Sequence, residues 1–214
     1  MELYTLGKTQ IRNQSTKHYR VVEFLALLTR YPSGLPKKLI ENLLFRGYVC
    51  NSTVPTLASR CRALGVSVDF ICSNSTYRLP DPIEADFVYL EEAIKTKDWK
   101  TIWNLYKGEF LPRSRSPYAL SERERLTNRL VCLLVQTKDK EILTHAVTFF
   151  SGEQRLWQCL AELGDNSAQI MCSALDRYES GGPYANKKQE VDIAINLKQA
   201  SKANRQLQSA NLHI

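Results

Sequence analysis

The sequence predicts a mostly α-helical protein in two parts, with a small β-sheet and a β-hairpin confined to the first eighty residues. Three helical segments between residues 19 and 65 precede two extended runs that flank a polar turn. Residues 81–180 show helical spacing of apolar side chains almost throughout. The first eighty residues hold 11 Lys and Arg against 4 Asp and Glu, a net charge of +7 that equals that of the whole chain. A compact basic part joined to a near-neutral part is typical of a phosphate-binding domain with an interaction domain.

Residues 2–12 predict a small hairpin, because the extended runs 3–6 and 9–12 are separated by a Gly-Lys pair. A first helix follows over 19–30, where apolar residues cover a wide face. Pro36 fits the first turn of a second helix, which Gly47 ends. A third helix is predicted from residues 51–53, which are good N-cap residues, to Gly65.

The third helix has two distinct sides. At about 100° per residue, one side is apolar, whereas the other carries small polar residues flanked by arginines, and no acidic residue occurs between positions 51 and 65. Such a surface can enter the major groove of DNA, with short side chains near base edges. We therefore expect a recognition surface formed by Ser52, Thr53, Thr56, Ser59, Arg60 and Arg62. The alternative is an ordinary solvated helix face.

Residues 66–72 and 76–79 predict a β-hairpin around a polar tip. Three helices followed by such a hairpin make a winged helix-turn-helix, in which the hairpin is the wing that lies on the DNA backbone or in a minor groove. The candidate phosphate contacts are Lys37, Lys38, Arg46, Asn74, Ser75 and Arg78. If about five phosphates are neutralised, log K falls against log salt with a slope of roughly −4.5.

Five segments of this part resemble a known family and occur in its order: LYTLG at 3–7, LLTRY at 27–31, PKKLI at 36–40, SRCRALG at 59–65 and YRL at 77–79. Together they are similar to the winged-helix domain of the Streptomyces antibiotic regulatory protein type, which is itself similar to the DNA-binding domain of OmpR-like response regulators. In that family the helix with the Ser-Arg-x-Arg segment is the recognition helix. The resemblance thus implies this role for the helix that carries Ser59, Arg60 and Arg62.

This part of the chain departs from the family at two positions and in a somewhat shorter Ser-Arg-x-Arg helix. The pair Leu44-Phe45 stands where the family usually has Leu-Trp, and Thr76 stands where it usually has Gly. These changes preserve the fold more safely than the base preference.

The stretch around Pro80 and Pro82 reads as a short stiff linker, so we expect domains at residues 1–80 and 81–180. Apolar stripes in the second domain predict paired helices of the tetratricopeptide kind, although no clean repeat of about 34 residues is visible. Its aromatic residues are expected in the core: Trp99, Trp103, Tyr106 and Phe110.

The segment LYKGEFLP at 105–112, followed by Tyr118 and by ERERL at 122–126, resembles the bacterial transcriptional activator domain. That domain follows the winged helix in the regulators named above, although Trp is commoner there at the position of Tyr118. The resemblance implies contacts with a second protomer on tandem DNA sites, with RNA polymerase or with another protein. The residues Glu122 to Arg125 are predicted to form a surface charge cluster rather than a catalytic group.

The tail at residues 181–214 gives conflicting signals. Alternating apolar residues around position 193 suggest a strand, whereas a wider stripe from Ile193 to Leu207 fits a helix. We favour the helix, which would dock on the helical domain or mediate self-association.

Several classes of function find no support in the sequence. The six cysteines form no CxxC pair and read as buried free thiols, and Walker, GxSxG and HExxH motifs are absent. We therefore expect neither an enzyme nor a bound cofactor or metal. No apolar run approaches the roughly 18–20 residues of a membrane span, and the N-terminus lacks signal-peptide features.

The sequence thus predicts a cytoplasmic, nucleoid-associated regulator of transcription that binds double-stranded DNA as a homodimer, with activation as the expected effect. The alternative is a protein-interaction adaptor in which the winged helix is a docking module without DNA binding.

Overall fold

The structure is a computed structural model that describes residues 2–11, 19–46 and 49–179, with side-chain burial through residue 174. It is mostly helical and divides into two compact units, Met1–Thr137 and Lys138–Ile214. The predicted tail at 181–214 lies outside the described residues, as do Gly47 and the end of the second predicted run.

The first unit begins with a three-stranded sheet. Strand β1 (Glu2–Tyr4) pairs antiparallel with β2 (Gln10–Ile11), which confirms the predicted hairpin. The third strand, β6 (Glu84–Ala85), pairs parallel with β1 and comes from beyond the Pro80–Pro82 stretch. That stretch therefore leads the chain back to the N-terminal sheet.

Three helices follow β2; α1 has the predicted bounds, whereas α2 and α3 differ from them by one or two residues. Helix α1 (Tyr19–Arg30) is buried from Val21 through Leu28, and α3 (Thr53–Ala63) packs against it. Helix α2 (Lys37–Phe45) begins one residue after Pro36, which lies in strand β3 (Leu35–Pro36) instead of the first helical turn.

A second three-stranded sheet has the strand order β3-β5-β4. In the chain, β3 precedes α2, and the other two strands follow α3. Strands β4 (Asp69–Ile71) and β5 (Thr76–Arg78) form an antiparallel hairpin closed by a 3₁₀ turn at Cys72–Asn74. This confirms the predicted hairpin with its polar tip.

Helices α4 (Asp86–Thr96), α5 (Trp99–Leu105) and α6 (Pro117–Thr137) complete the first unit. The carboxylate of Asp86 accepts hydrogen bonds from the Thr5 amide at 2.7 Å and from the Leu6 amide at 2.9 Å. Burial raises the pKa of Asp86, although these hydrogen bonds act against the shift. Residues 81–137 thus share a compact unit with residues 1–80, and the observed division differs from the boundary expected at residue 80.

The LYKGEFLP segment has a structural explanation. The Gly7 amide donates to the Glu109 carbonyl at 2.9 Å, and the Leu111 amide donates to the Thr5 carbonyl at 2.7 Å. A Cβ on Gly7 would lie 2.4 Å from the Lys107 carbonyl oxygen, so only glycine permits this approach. The segment therefore joins the N-terminal strand to the helical part.

The aromatic residues of this part divide between core and surface. Phe110 packs edge-on against Phe87 and Tyr118, at ring-centroid distances of 5.4 and 5.8 Å. Tyr106 and Phe110 are buried as expected, whereas Trp99 and Trp103 are only half-buried and stack on each other.

The expectation of buried thiols is only partly correct. Cys61 lies in the core, whereas Cys50, Cys72 and Cys132 are exposed. Cys72 belongs to the turn of the hairpin, where a small side chain can face solvent at little cost.

The second unit contains α7 (Lys140–Ala146), α8 (Gln154–Glu162) and α9 (Asn166–Glu179), and α8 contacts both neighbours. Asp139 caps α7 through the Glu141 and Ile142 amides. The Asp165 carboxylate accepts from the Ala168 amide at 3.1 Å and lies 3.2 Å from the Lys140 ammonium. These helices confirm the helical spacing predicted for this part of residues 81–180.

Candidate nucleic-acid interface

Helix α3 has the two sides that its sequence predicts. The buried side consists of Val54, Leu57, Ala58 and Cys61. The exposed side carries small or cationic side chains: Ser52, Thr56, Ser59, Arg60 and Arg62. Thr53 at the helix start is half-buried. The cationic side chains therefore lie at the C-terminal end of a polar surface, and the recognition role of this surface stays a prediction.

Arg62 connects α3 to the hairpin. Its Nη2 donates to the Val68 carbonyl at 2.6 Å, one residue before β4 begins. A guanidinium has five N–H donors, so this bond leaves further donors for a phosphate. The bond also orients the side chain toward the hairpin, which the sequence alone did not indicate.

A cleft of about 390 Å³ opens between α3, the hairpin and the start of α2. Its lining consists of Lys37, Pro55, Ala58, Arg62, Phe70 and Tyr77. The Lys37 amide donates to the Ser75 carbonyl at 2.9 Å, so the first residue of α2 is attached to the end of the hairpin turn. The Lys37 ammonium lies 3.8 Å from the Glu41 carboxylate. The structure thus brings two predicted DNA-contacting cations, Lys37 and Arg62, to one cleft.

An aromatic series runs from the core to this cleft. Phe24 is fully buried and meets Tyr77 edge-on at 6.3 Å, while Tyr77 meets Phe70 at 4.8 Å. Tyr77 is only 4% exposed, whereas Phe70 is 42% exposed. Burial raises the pKa of Tyr77, and the charge of Arg62 acts against that shift. Phe70 was not among the predicted site residues, and its only signal was an aromatic side chain within the extended run 66–72.

The remaining candidate phosphate contacts are distributed along α2 and the hairpin. Asn74 and Ser75 are exposed at the hairpin turn, and Lys38 is exposed beside Lys37. Arg78 pairs with Asp69 at 3.4 Å, across the β4–β5 register.

Arg46 lies at the opposite end of α2 from the cleft. The two ends of this helix are about 13 Å apart along its axis. The structure therefore does not bring Arg46 to the cleft that Lys37 lines.

The prediction of a surface charge cluster at 122–125 holds for Glu124, which is exposed, whereas the other three side chains are buried or half-buried. The Glu122 carboxylate is buried, and Arg30 contacts it at 3.1 Å. Arg30 also contacts Glu91 at 2.7 Å, and Arg125 contacts both carboxylates. Arg123 donates to the Phe110 carbonyl at 2.9 Å. These side chains face one another because α1, α4 and α6 meet here, so they hold the unit together.

Comparison of the chain with protein-family models and with curated proteins gives no match. Within the described residues, no three His, Cys, Asp or Glu side chains are grouped so as to hold a metal ion. No helix in the described part of the chain has the length and apolar character to cross a membrane.

Proposed function

We propose that this protein is a sequence-specific DNA-binding regulator of transcription, in which α1–α3 and the β4–β5 hairpin act as a winged helix. The observation that carries the proposal is the exposed side of α3. There, small polar residues and two arginines lie beside a cleft that a third cation, Lys37, also lines. Short side chains let a helix approach base edges closely, and arginines reach bases or phosphates.

Each candidate residue except Arg46, which lies away from the cleft, has a specific role in this proposal. Thr56, Ser59 and Arg60 face the major groove, because they occupy the centre and the C-terminal end of the exposed side of α3. Lys37, Lys38 and Arg62 contact phosphates at the edge of that groove. Exposed hairpin residues contact the backbone farther along the duplex: Asn74, Ser75 and Arg78. Ser52 and Thr53 approach the backbone at the start of the helix.

The helical parts supply protein contacts rather than catalysis. Helix α4 exposes Val88 and Tyr89, which are 41% and 50% exposed and suit a second protomer or RNA polymerase. We assign the α7–α9 unit the same kind of role, as a tetratricopeptide-like interaction module. This function places the protein in the cytoplasm, on the nucleoid, and requires no cofactor.

Selection of random duplexes by the purified full chain tests this proposal. An enriched motif is expected, with a slope of log K against log salt of roughly −4.5. Between 50 and 200 mM salt, this slope corresponds to a loss of affinity of about 500-fold.

Arg60→Ala is expected to weaken binding to the selected motif by about 1–3 kcal/mol and to relax one position of it. Lys95→Ala on α4 is the matched control, because that cation is exposed but is not one of the candidate DNA contacts. The two variants are compared in a direct binding titration at one salt concentration.

Failure of the full chain to bind any duplex at low salt would overturn the proposal. Exposed Val88 and Tyr89 would then favour the adaptor function, in which the protein contacts another protein and not DNA. Salt-dependent binding without an enriched motif would contradict sequence specificity and indicate a general nucleoid role.

A further inference from the structure

We propose that the cleft between α3 and the hairpin holds one sugar–phosphate unit of the DNA backbone, with Phe70 against the deoxyribose and with Lys37 and Arg62 at the phosphate. This inference rests on the proposed function and names a contact within it. It adds an apolar contact to an interface that the sequence describes only in terms of charge and hydrogen bonding.

The ring of Phe70 packs against the ring of Tyr77, which holds it in place. Phe70 and Tyr77 are directly opposite in the β4–β5 register, so their side chains lie on the same face of the hairpin. Tyr77 is fixed in turn against the fully buried Phe24. A ring supported in this way loses little conformational freedom when a ligand covers it, which favours binding.

Arg62 and Lys37 each donate a hydrogen bond to the hairpin segment that carries Phe70. Arg62 donates to the carbonyl of Val68, two residues before Phe70. The main-chain amide of Lys37 donates a hydrogen bond to the carbonyl of Ser75, which follows the hairpin turn. Positive charge therefore flanks an exposed aromatic ring within a single cleft.

A sugar–phosphate unit matches this combination of groups. Its deoxyribose presents C–H groups that an aromatic ring can cover, and its phosphate requires cations. The cleft volume of about 390 Å³ is in the range of small-ligand sites. Pro55 and Arg62 of α3 also line the cleft, so the cleft adjoins the surface assigned to the major groove. A strand that borders that groove would thus pass over Phe70.

The carboxylates near the cleft are consistent with this occupant. Glu41 lies 3.8 Å from Lys37, and Asp69 pairs with Arg78 on the hairpin. Each carboxylate faces a cation, which reduces its repulsion of an incoming phosphate. An acidic peptide would meet the same cations, but it would lack the neighbouring α3 contacts.

The test measures the affinity of the full chain for its selected duplex over a range of salt. Phe70→Ala is expected to weaken binding about fivefold to tenfold without changing the salt slope, since the lost contact is apolar. Phe70→Leu should recover most of this loss, whereas Lys37→Gln should make the negative slope shallower by about 0.9. Tyr31→Ala, which removes a ring that is as exposed as Phe70 but does not line the cleft, is the matched control and should leave affinity unchanged.

Hydroxyl-radical footprinting provides an independent readout, because the radical attacks deoxyribose C–H groups. One sugar protected by the wild-type chain should become reactive with Phe70→Ala and stay protected with Phe70→Leu. Thermal unfolding of each variant separates loss of fold from loss of contact.

Equal affinity and an unchanged footprint for Phe70→Ala would overturn the inference while leaving the proposed function intact. A wild-type chain that binds no duplex would instead overturn the proposed function, and the inference with it. A changed salt slope for Phe70→Ala would also contradict an apolar contact.

Discussion

The arginines of the first unit are used in two opposite ways. On α3, Arg60 and Arg62 are exposed, and the helix carries no acidic residue beside them. Where α1, α4 and α6 meet, Arg30 and Arg125 face the largely buried carboxylates of Glu91 and Glu122. Side-chain exposure there is only 11% for Glu91 and 7% for Glu122.

This difference shows which charges can serve a ligand. The α1–α4–α6 network balances its two carboxylates with arginines, so it adds little to the field outside the protein. The excess positive charge of the first eighty residues is therefore presented mainly by α2, α3 and the hairpin. Net charge predicts which part of the chain binds phosphate, but only the environment of each arginine shows which surface of that part presents its charge to a ligand.

Removal of Arg125 is expected to have the largest effect on stability. Arg125→Ala leaves Glu91 and Glu122 largely buried with one cation fewer, and the free energy of unfolding should fall by about 2 kcal/mol. Urea denaturation measures this change. Lys95→Ala removes an exposed ion pair with Glu92 and should cost less than about 0.5 kcal/mol.

The DNA affinity of the same variant tests whether Arg125 contributes only to stability. Folded Arg125→Ala should bind the selected duplex as the wild type does, while Arg60→Ala should weaken binding and leave stability unchanged. If Arg125→Ala weakened binding without lowering stability, the proposed division of roles between the two regions would be wrong.

Local sequence signals predicted the elements of this fold well. Helix α1 follows from its continuous apolar face and α3 from its apolar and polar sides, because these signals act within one or two turns. The N-cap residue of α3, Ser52, makes no side-chain capping hydrogen bond, although the sequence suggested one. The hairpin follows from its polar tip between extended runs.

Contacts between distant residues were not predictable in this way. Asp86 accepts a hydrogen bond from the Thr5 amide 81 residues away, and this contact joins two parts that were predicted to be separate domains. Likewise, Glu122 reads as a surface residue in a charged run, but α6 turns it toward Arg30 of α1. Periodicity describes one helix at a time and does not identify the partner of each face.

The candidate site shows the same limit. The exposed side of α3 was predicted from a helical wheel, and the structure confirms the exposure of every predicted residue except Thr53, which is half-buried. The exposure of Phe70 was not predicted, because the alternation of Val66, Val68 and Phe70 is typical of an inward face. Tyr77 takes the position against Phe24 and leaves Phe70 at the surface.

A pH titration sharpens the contrast between the two regions. Burial alone would raise the pKa of Glu91, but hydrogen bonds and charge from Arg125 and Arg30 outweigh it and lower the pKa below its ordinary value of 4.5. Ionised Glu91 therefore stabilises the fold above pH 4.5, and this stabilisation is lost as pH falls through the lowered pKa.

Glu91→Gln should accordingly reduce the free energy of unfolding by about 1 kcal/mol at pH 7 and by less at pH 3.5. Urea denaturation at both pH values measures the difference. Glu92→Gln, at an exposed neighbouring position, is the control and should show no such change between the two pH values. A loss for Glu91→Gln that grows at low pH would contradict the assigned ion pairs.

The smallest expected effect concerns the hairpin, where the two uses of arginine meet. Arg78 is exposed, as the α3 arginines are, but Asp69 lies 3.4 Å from it and competes with any phosphate. Asp69→Asn should therefore strengthen binding to the selected duplex by about twofold to fivefold, since exposed ion pairs contribute only about 0.2–1 kcal/mol. The salt slope should become steeper by at most about 0.9.

Glu92→Gln removes an exposed carboxylate from α4 and should change neither the affinity nor the salt slope. Weaker binding by Asp69→Asn would mean that the ion pair positions Arg78 for the backbone, and that Arg78 belongs with the structural arginines of the α1–α4–α6 network.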